Sequence, residues 1–348
     1  MVYFVRGKDC AQNGHYHDMN RVVIPTIVFV INLGVVAVQE ELEVALRDFV
    51  GRETPLYHAE RLTTHGAEAC GCRHLGLASM VVATAAACAK HDLECTILMA
   101  ALTIQEAILK CCLNQATRAQ DASSEAIREW VGDLETSYYL TGTVVGPHPC
   151  PAMVREFQSV IGKETRKQAM EKWGGLPDVL VACIGSGSNA LGLFNEFIEE
   201  EDVRLIGVEA AGFGLDSGKH SATLSKGHVG VYHGALSYLL QDEEGQILVP
   251  HSVGIGLEYP GVGPELSFLK ESGRAEFHTA IDKEAVEAYK RVCRLEGIFP
   301  SLEASHAFAY LDKLCPTLTD GCKVVVNCSG RGDKDAAIVF NYGHHQEC

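Results

Sequence analysis

The chain has 348 residues and a formal net charge of −16 at pH 7, and 47% of its residues are hydrophobic. This composition is typical of a globular protein with a large core, in two domains or one large α/β body. No long run of Lys and Arg occurs, which argues against nucleic acid as a partner. The 14 cysteines include no C-x-x-C pair, so the sequence predicts reduced thiols and no metal site.

Residues 1–38 look unlike the rest of the chain. Residues 1–20 are polar and irregular, and residues 22–38 are apolar but interrupted by Pro25 and Asn32. A membrane-spanning helix needs about 20 apolar residues, so this stretch is slightly short. It also lacks the small-residue cleavage site of a secretory signal. We interpret residues 1–38 as a buried or disordered extension, with a membrane segment as the alternative.

The next hundred residues have the pattern of a small α/β region. An extended segment is expected at 54–57 and strands at 94–99 and 138–145, whereas residues 62–77 show no clear periodicity. Amphipathic or Ala-rich stretches predict helices at 39–50, 79–91, 103–113 and 122–131. Residues 146–151 are too rich in proline for regular structure, and they mark a crossover to the second half of the chain.

The most informative stretch is 178–209. Residues 178–184 are a continuous apolar run that predicts a buried strand, residues 190–198 predict a helix, and residues 203–208 predict a second strand. Between the first strand and the helix lies Gly185-Ser-Gly-Ser-Asn189. Such a turn points backbone N–H groups and the positive end of a helix dipole at one spot, so we expect it to bind a phosphate.

The kind of phosphate stays open at this point. Gly185, Gly187 and Ala190 fit the G-x-G-x-x-G/A dinucleotide pattern, and Glu209 stands where an acid that binds ribose is expected. The side chains of Ser188 and Asn189 are hydrogen-bond donors, which favours a terminal phosphomonoester instead. A tight turn without a ligand is the third possibility.

A second glycine-rich turn follows the last predicted strand. Residues 323–328 are apolar and run straight into Ser329-Gly-Arg-Gly-Asp333. Ligands of open α/β sheets bind outside the carboxyl ends of the strands, so we expect this turn and residues 185–189 to converge. The remaining pattern predicts helices at 154–173, 282–296 and 301–314, and loops at 216–232 and 253–264.

From Gln39 onward the chain resembles the tryptophan synthase β chain, a fold-type II pyridoxal-phosphate (PLP) enzyme. The matching motifs occur in the same order as in that family, and their amino-acid sequences are most similar to those of its plant members. They lie at residues 51–57, 59–62, 146–149, 161–168, 185–189, 257–264, 295–297, 302–306 and 329–335. The resemblance implies an α/β fold of two three-layer αβα domains with mostly parallel sheets. It divides the chain into an unmatched extension (1–38), a truncated N-terminal domain (39–145) and a PLP-binding domain (146–348).

The family's activity and partners follow from the same resemblance. It implies PLP as cofactor and the condensation of L-serine with indole to L-tryptophan. It implies an α chain and a second β chain as protein partners, with no role for nucleic acid or a membrane. Plant β chains work in plastids, although residues 1–38 lack the Ser-rich composition of a transit peptide.

The resemblance also assigns roles to single residues. Ser329 resembles the serine that hydrogen-bonds the pyridine nitrogen, and Glu296 resembles a carboxylate beside the ring. Glu258 stands where bacterial enzymes have an Asp that helps to close the active site. Tyr232 and His233 match positions that line the indole tunnel. The cup for the PLP phosphate corresponds to Gly185, Ser186, Gly187, Ser188 and Asn189.

The chain departs from the family at its catalytic lysine. The family carries its Schiff-base lysine between the segment that matches 59–62 and the Ala-rich helix, but residues 63–82 contain no lysine. Before residue 120 the lysines are Lys8, Lys90 and Lys110, and none matches that position. The position of the family's catalytic glutamate falls on His74.

We therefore predict no catalytic residue, and PLP held without a covalent bond. The alternative to a tryptophan synthase β-like enzyme is a non-catalytic homologue or truncated gene product that binds PLP or tryptophan synthase subunits. An NAD-type enzyme is a further alternative.

Overall fold

The computed structural model describes part of the chain, which divides into two compact units. One unit comprises Met1–Thr54 with Met80–Thr141, and the other comprises Pro55–Ser79 with Gly142–Cys348. The residues that the structure describes are 2–6, 56–59, 69–74, 94–100, 113–116, 119–135 and 137–344. The helices predicted at 39–50, 79–91 and 103–113 lie outside them, and the predicted division of the chain into three parts stays a prediction.

The described residues form twelve strands and nine α-helices. The strands are β1 Val2–Arg6, β2 Leu56–His58, β3 Ala69–His74, β4 Glu94–Ala100, β5 Leu113–Ala116, β6 Ser137–Thr141, β7 Val179–Ile184, β8 Arg204–Gly212, β9 His228–Tyr232, β10 Ala235–Leu239, β11 Ala275–Ile281 and β12 Val324–Ser329. The helices are α1 Ala119–Gly132, α2 Cys150–Gln158, α3 Val160–Trp173, α4 Ser188–Phe194, α5 Thr223–Lys226, α6 Pro264–Glu271, α7 Asp282–Glu296, α8 Leu302–Leu314 and α9 Ala336–His344. In this part of the chain no helix is long and apolar enough to cross a membrane.

The first unit contains a mixed sheet with the strand order β5-β4-β1-β6. β1 lies antiparallel to both β4 and β6, whereas β4 and β5 are parallel. α1 contacts this sheet: Ala126 is fully buried, and the Trp130 ring stacks on Tyr139 with centroids 5.6 Å apart.

The second unit is built on a six-stranded sheet with the order β11-β8-β7-β12-β3-β2. Its strands are parallel except for β2, which runs antiparallel to β3 at one edge. β7 and β12 are buried along their whole length, as expected of central strands covered on both faces. α8 contacts β7, β8, β11 and β12, while α4 contacts β7 and packs against α2 and α3. The predicted α/β fold with a mostly parallel sheet is confirmed.

Three stretches without a strand pattern in the sequence contain strands. β1 lies within the polar residues 1–20, β3 lies within the aperiodic residues 62–77, and β9 with α5 lies within the predicted loop 216–232. The predictions for these stretches were wrong because pairing with another strand decides each of them, a strand distant in sequence for β1 and β3 and a neighbouring one for β9. β1 pairs on both sides, β3 lies between β12 and β2, and β9 forms a hairpin with β10.

Candidate functional site

The turn after β7 is built around two glycines. Gly187 has the left-handed φ of 101°, and a Cβ on it would overlap Cδ1 of Leu266. A Cβ on Gly185 would lie 2.9 Å from the carbonyl oxygen of Gly256. Glycine is therefore required at both positions. The turn presents bare backbone at the start of α4, where the first N–H groups have no partner within the helix.

A segment that we name the strap, residues 254–263, packs along this turn. Gly256 contacts the turn at Gly185, and the N–H of Gly263 donates a 2.9 Å hydrogen bond to the carbonyl of Ser186. The Ser221 hydroxyl donates to the carbonyl of Leu257, in the middle of the strap. The strap thereby fixes the shape of residues 185–187 from outside.

Ser329, at the end of β12, lies at the same edge of the sheet. Its Oγ is 3.6 Å from Sγ of Cys183 in the neighbouring strand β7, and its carbonyl accepts a 2.7 Å hydrogen bond from the Ser301 hydroxyl. Burial raises the pKa of the Cys183 thiol to about 12. Ser329 therefore faces a neutral thiol, and the predicted convergence of the turns that follow β7 and β12 is confirmed.

The side chain of Asn189 joins α4 to β7 and β12. Its Nδ2 donates to the carbonyl of Cys183 at 3.0 Å, and its Oδ1 accepts from Nδ2 of Asn327 at 3.0 Å. The bond to Cys183 uses one of the two N–H groups of Nδ2. The predicted contact of this side chain with a phosphate stays a prediction.

Glu209 is engaged inside the protein. Its carboxylate is fully buried and accepts hydrogen bonds from the N–H of Leu224 at 2.6 Å and from the N–H and Oγ of Ser225 at 2.9 and 2.7 Å. It thus caps the start of α5, and burial raises its pKa to about 7. A dinucleotide site needs Glu209 to bind the ribose, but this carboxylate is buried and therefore not accessible to a ligand.

Glu303 is a carboxylate that sequence analysis missed. It lies in the first turn of α8, where its Oε1 accepts a 2.9 Å hydrogen bond from the N–H of Gly256 in the strap. It follows Ser301, whose hydroxyl donates to the Ser329 carbonyl, by two residues, and its charge contributes to the raised pKa of Cys183. Glu296 ends α7, and its predicted place beside the ring stays a prediction. Glu303 lies within the motif 302–306 that carries the resemblance, so the sequence could have identified it as a candidate site residue.

An aromatic group lies where the strap meets the β9–β10 hairpin. The Tyr232 and His233 rings stack 3.9 Å apart, and His233 Nδ1 is 3.1 Å from the hydroxyl of Tyr259 on the strap. His233 has a φ of 47°, which is rare outside glycine, and burial lowers the pKa of its imidazole. Tyr232 and His233 are half-buried and Tyr259 is buried, so the three rings form one packed group at this end of the strap.

Glu258, also on the strap, points back along its own segment. Its Oε1 accepts a 3.2 Å hydrogen bond from the N–H of Ser252 and lies 3.8 Å from Nδ1 of His251. In this state Glu258 stabilises the beginning of the strap. Its predicted role in closing an active site stays a prediction.

The two places where the resemblance fails are only partly described. β3 ends at His74, and its backbone is in register with Ser329 of β12. Lys8, Lys90 and Lys110 lie outside the described residues. Lys334 lies in the described part, and its Nζ is 3.3 Å from Oε2 of Glu303. Among the residues that the structure describes, no group of His, Cys, Asp and Glu side chains is arranged to hold a metal ion.

The chain is similar to one family of known proteins and, more weakly, to two solved structures. The family model described as "Pyridoxal-phosphate dependent enzyme" matches residues 76–330. A fungal L-serine ammonia-lyase from Rhizomucor miehei has a similar fold over 57% of each chain, with 20% identity and a TM-score of 0.42. A threonine deaminase from T.th. is similar over 52% of this chain and 58% of its own, with 19% identity and a TM-score of 0.38. The chain thus covers less than two thirds of either solved structure.

Proposed function

Because the chain belongs to the pyridoxal-phosphate dependent enzyme family, we propose that it is a tryptophan synthase β-like protein that binds PLP between the 185–189 turn and Ser329. One observation carries this proposal. A glycine turn that requires a bare backbone lies at the same sheet edge as a buried serine hydroxyl. When bound, PLP supplies an electron sink for chemistry on amino acids.

The residues present fit both ends of this cofactor. The backbone N–H groups at the start of α4 suit the phosphate, because a helix start offers donors and the positive end of a dipole. Ser329 suits the pyridine nitrogen, since its hydroxyl is able to donate without bringing a charge. The aromatic residues Tyr232, His233 and Tyr259 suit the indole ring of the family's second substrate.

We propose further that PLP is held without a covalent bond. This rests on residues 63–82, where the resemblance expects the Schiff-base lysine and the chain has none. Condensation of L-serine with indole needs a group that moves a proton at the α carbon. The Schiff-base lysine and the catalytic glutamate of the tryptophan synthase β chain do this, and both are absent from the matched positions. A cofactor-binding homologue that pairs with an α chain or a complete β chain is therefore the favoured form of the proposal.

The test is titration of the purified protein with PLP, followed by reduction with borohydride and mass spectrometry. We expect saturable PLP binding with no stoichiometric adduct on any lysine. A single stoichiometric adduct, for example on Lys8 or Lys110, would overturn the non-covalent form and restore the catalytic one. Absence of saturable PLP binding would overturn the proposal as a whole. An assay with L-serine and indole, run on the same samples, measures turnover directly.

A further inference from the structure

A buried group of three charged side chains adjoins the strap. Lys334, Glu303 and Asp335 have side chains that are 14%, 15% and 5% exposed. The Lys334 Nζ is 2.6 Å from Oδ1 of Asp335 and 3.3 Å from Oε2 of Glu303. One ammonium group therefore serves two carboxylates, and we name these three residues the charged triad.

Each carboxylate of the charged triad also holds a backbone N–H. Glu303 Oε1 accepts from Gly256 in the strap at 2.9 Å, and Asp335 Oδ2 accepts from Leu302 at the start of α8 at 2.9 Å. Gly256 in turn packs against Gly185. A continuous series of contacts thus runs from Lys334 through Glu303 and the strap to the 185–189 turn, where we propose that the PLP phosphate binds.

The charge of Lys334 keeps Glu303 ionised. Burial alone would raise the pKa of Glu303, but the Lys334 ammonium and two backbone N–H groups hold this pKa below its usual value. Burial and the Glu303 charge raise the pKa of Asp335 to about 6, so Asp335 is the carboxylate that takes a proton first. Burial raises the pKa of the Cys183 thiol in β7 and of the Tyr289 phenol in α7 to about 12, so both groups stay neutral.

An ionised Glu303 is the stronger acceptor for the Gly256 N–H, because hydrogen bonds to charged groups are about twice as strong as neutral ones. We propose that Lys334 is a positioning residue: its ammonium pairs with Glu303, and Glu303 holds the strap against the 185–189 turn through the Gly256 N–H. The series of contacts stands by itself, whereas its consequence for PLP rests on the proposed function.

The first test is hydrogen exchange at the Gly256 amide, measured without PLP. We expect exchange about tenfold faster in Lys334→Met and close to the original rate in Lys334→Arg, since the hydrogen bond weakens when its acceptor loses the paired charge. Lys313→Met is the matched control, because Lys313 makes an exposed ion pair with Glu284 at 2.8 Å. The Asp178 amide, bonded to the Lys323 carbonyl at 2.9 Å, reports on global unfolding.

A double-variant cycle identifies Glu303 as the intermediary. If Lys334 acts through Glu303, then Lys334→Met adds nothing to the exchange rate of Glu303→Gln, so the two changes are not additive. An unchanged Gly256 rate in Lys334→Met, or additive effects in the double variant, would overturn the proposal. Should Lys334→Met unfold, Glu303→Gln decides alone, because the proposal requires its Gly256 amide to exchange about tenfold faster.

The second measurement compares PLP with pyridoxal, which lacks the phosphate. We expect Lys334→Met to weaken PLP about tenfold and pyridoxal at most about threefold, since Gly256, the strap residue that Glu303 holds, contacts the turn that we propose to bind the phosphate. Equal weakening of both ligands would show a general structural role and contradict the proposal. If the unmodified protein binds no PLP, the proposed function fails, and the exchange experiment still decides whether Lys334 positions the strap.

Discussion

The starts of α4 and α8 lie at the same edge of the large sheet and are built in opposite ways. At α8 the chain supplies its own acceptors: Ser301 Oγ accepts from the N–H of Ala304 at 3.1 Å, and Asp335 accepts from that of Leu302. At α4 the N-cap is Gly187, and no side chain caps the helix. Helix starts need acceptors for their first N–H groups. The protein therefore satisfies the start of α8 with its own side chains, whereas the start of α4 is where we propose that a phosphate binds.

The largest effect is expected from Gly187→Ala. The left-handed φ and the overlap with Leu266 force the turn to move, so we expect PLP affinity to fall by about 100-fold or more. Gly174→Ala is the matched control, since Gly174 has a similar φ of 70° but nothing within 4 Å of a Cβ. Fluorescence titration with PLP measures both. Equal affinities for the two variants would show that α4 is not the phosphate site.

The next expected effect is on pH dependence and concerns Glu209, which caps α5. Its folded-state pKa of about 7 lies above the ordinary value of 4.5, so between these pH values the folded protein holds a proton that the unfolded chain has lost. Stability therefore falls as pH rises from about 4.5 to 7, by up to about 3 kcal/mol. Urea unfolding at several pH values across this range measures this decrease, and we expect the free energy of unfolding to depend less on pH in Glu209→Gln. An identical dependence on pH in the variant would contradict the assignment to Glu209.

A smaller change is expected from removing the N-cap of α8. Ser301→Ala is expected to lower the free energy of unfolding by about 1–2 kcal/mol, the usual contribution of an N-cap side chain. Urea denaturation monitored by circular dichroism measures it. PLP affinity is expected to fall much less than in Gly187→Ala, because this helix start does not hold the proposed phosphate and Ser301 contacts the site only through the Ser329 carbonyl. A loss of PLP binding comparable to that of Gly187→Ala would erase the distinction between the two helix starts.

The smallest effect is expected from Ser329→Ala. One neutral hydrogen bond contributes about 0.5–1.5 kcal/mol, so PLP affinity is expected to fall between about twofold and tenfold. The absorption spectrum of bound PLP is expected to shift, because the partner of the ring nitrogen changes. Cys183→Ala, which alters the neighbouring buried group, is the control. A spectrum unchanged by Ser329→Ala would remove Ser329 from the cofactor site.

The sequence predicts the centre of the second unit well. β7 was predicted within one residue because apolar residues run without interruption through a strand buried on both faces. The glycine turn was recognisable because the backbone geometry there excludes every other residue. The helix predicted at 301–314 is α8, which begins at Leu302 directly after its N-cap Ser301.

Other parts of the site depend on contacts between distant residues. The inward orientation of Asn189 results from Asn327, which is 138 residues away in sequence. The position of Glu303 beside the turn depends on Gly256, and the capping role of Glu209 depends on Leu224 and Ser225. Local patterns report burial and turn geometry, but they do not report which partner satisfies a polar side chain.

The pairing of β3 with β12 has a consequence for how the protein is made. Their paired residues, such as Ala69 and Val324, are separated by about 250 positions, so closing this contact carries a large entropic cost. During synthesis β3 leaves the ribosome long before β12 exists. Until residues 324–329 have been synthesised, β3 cannot pair with β12 and has only the short strand β2 as a partner. Nascent chains halted before residue 324 are therefore expected to aggregate or to need a chaperone.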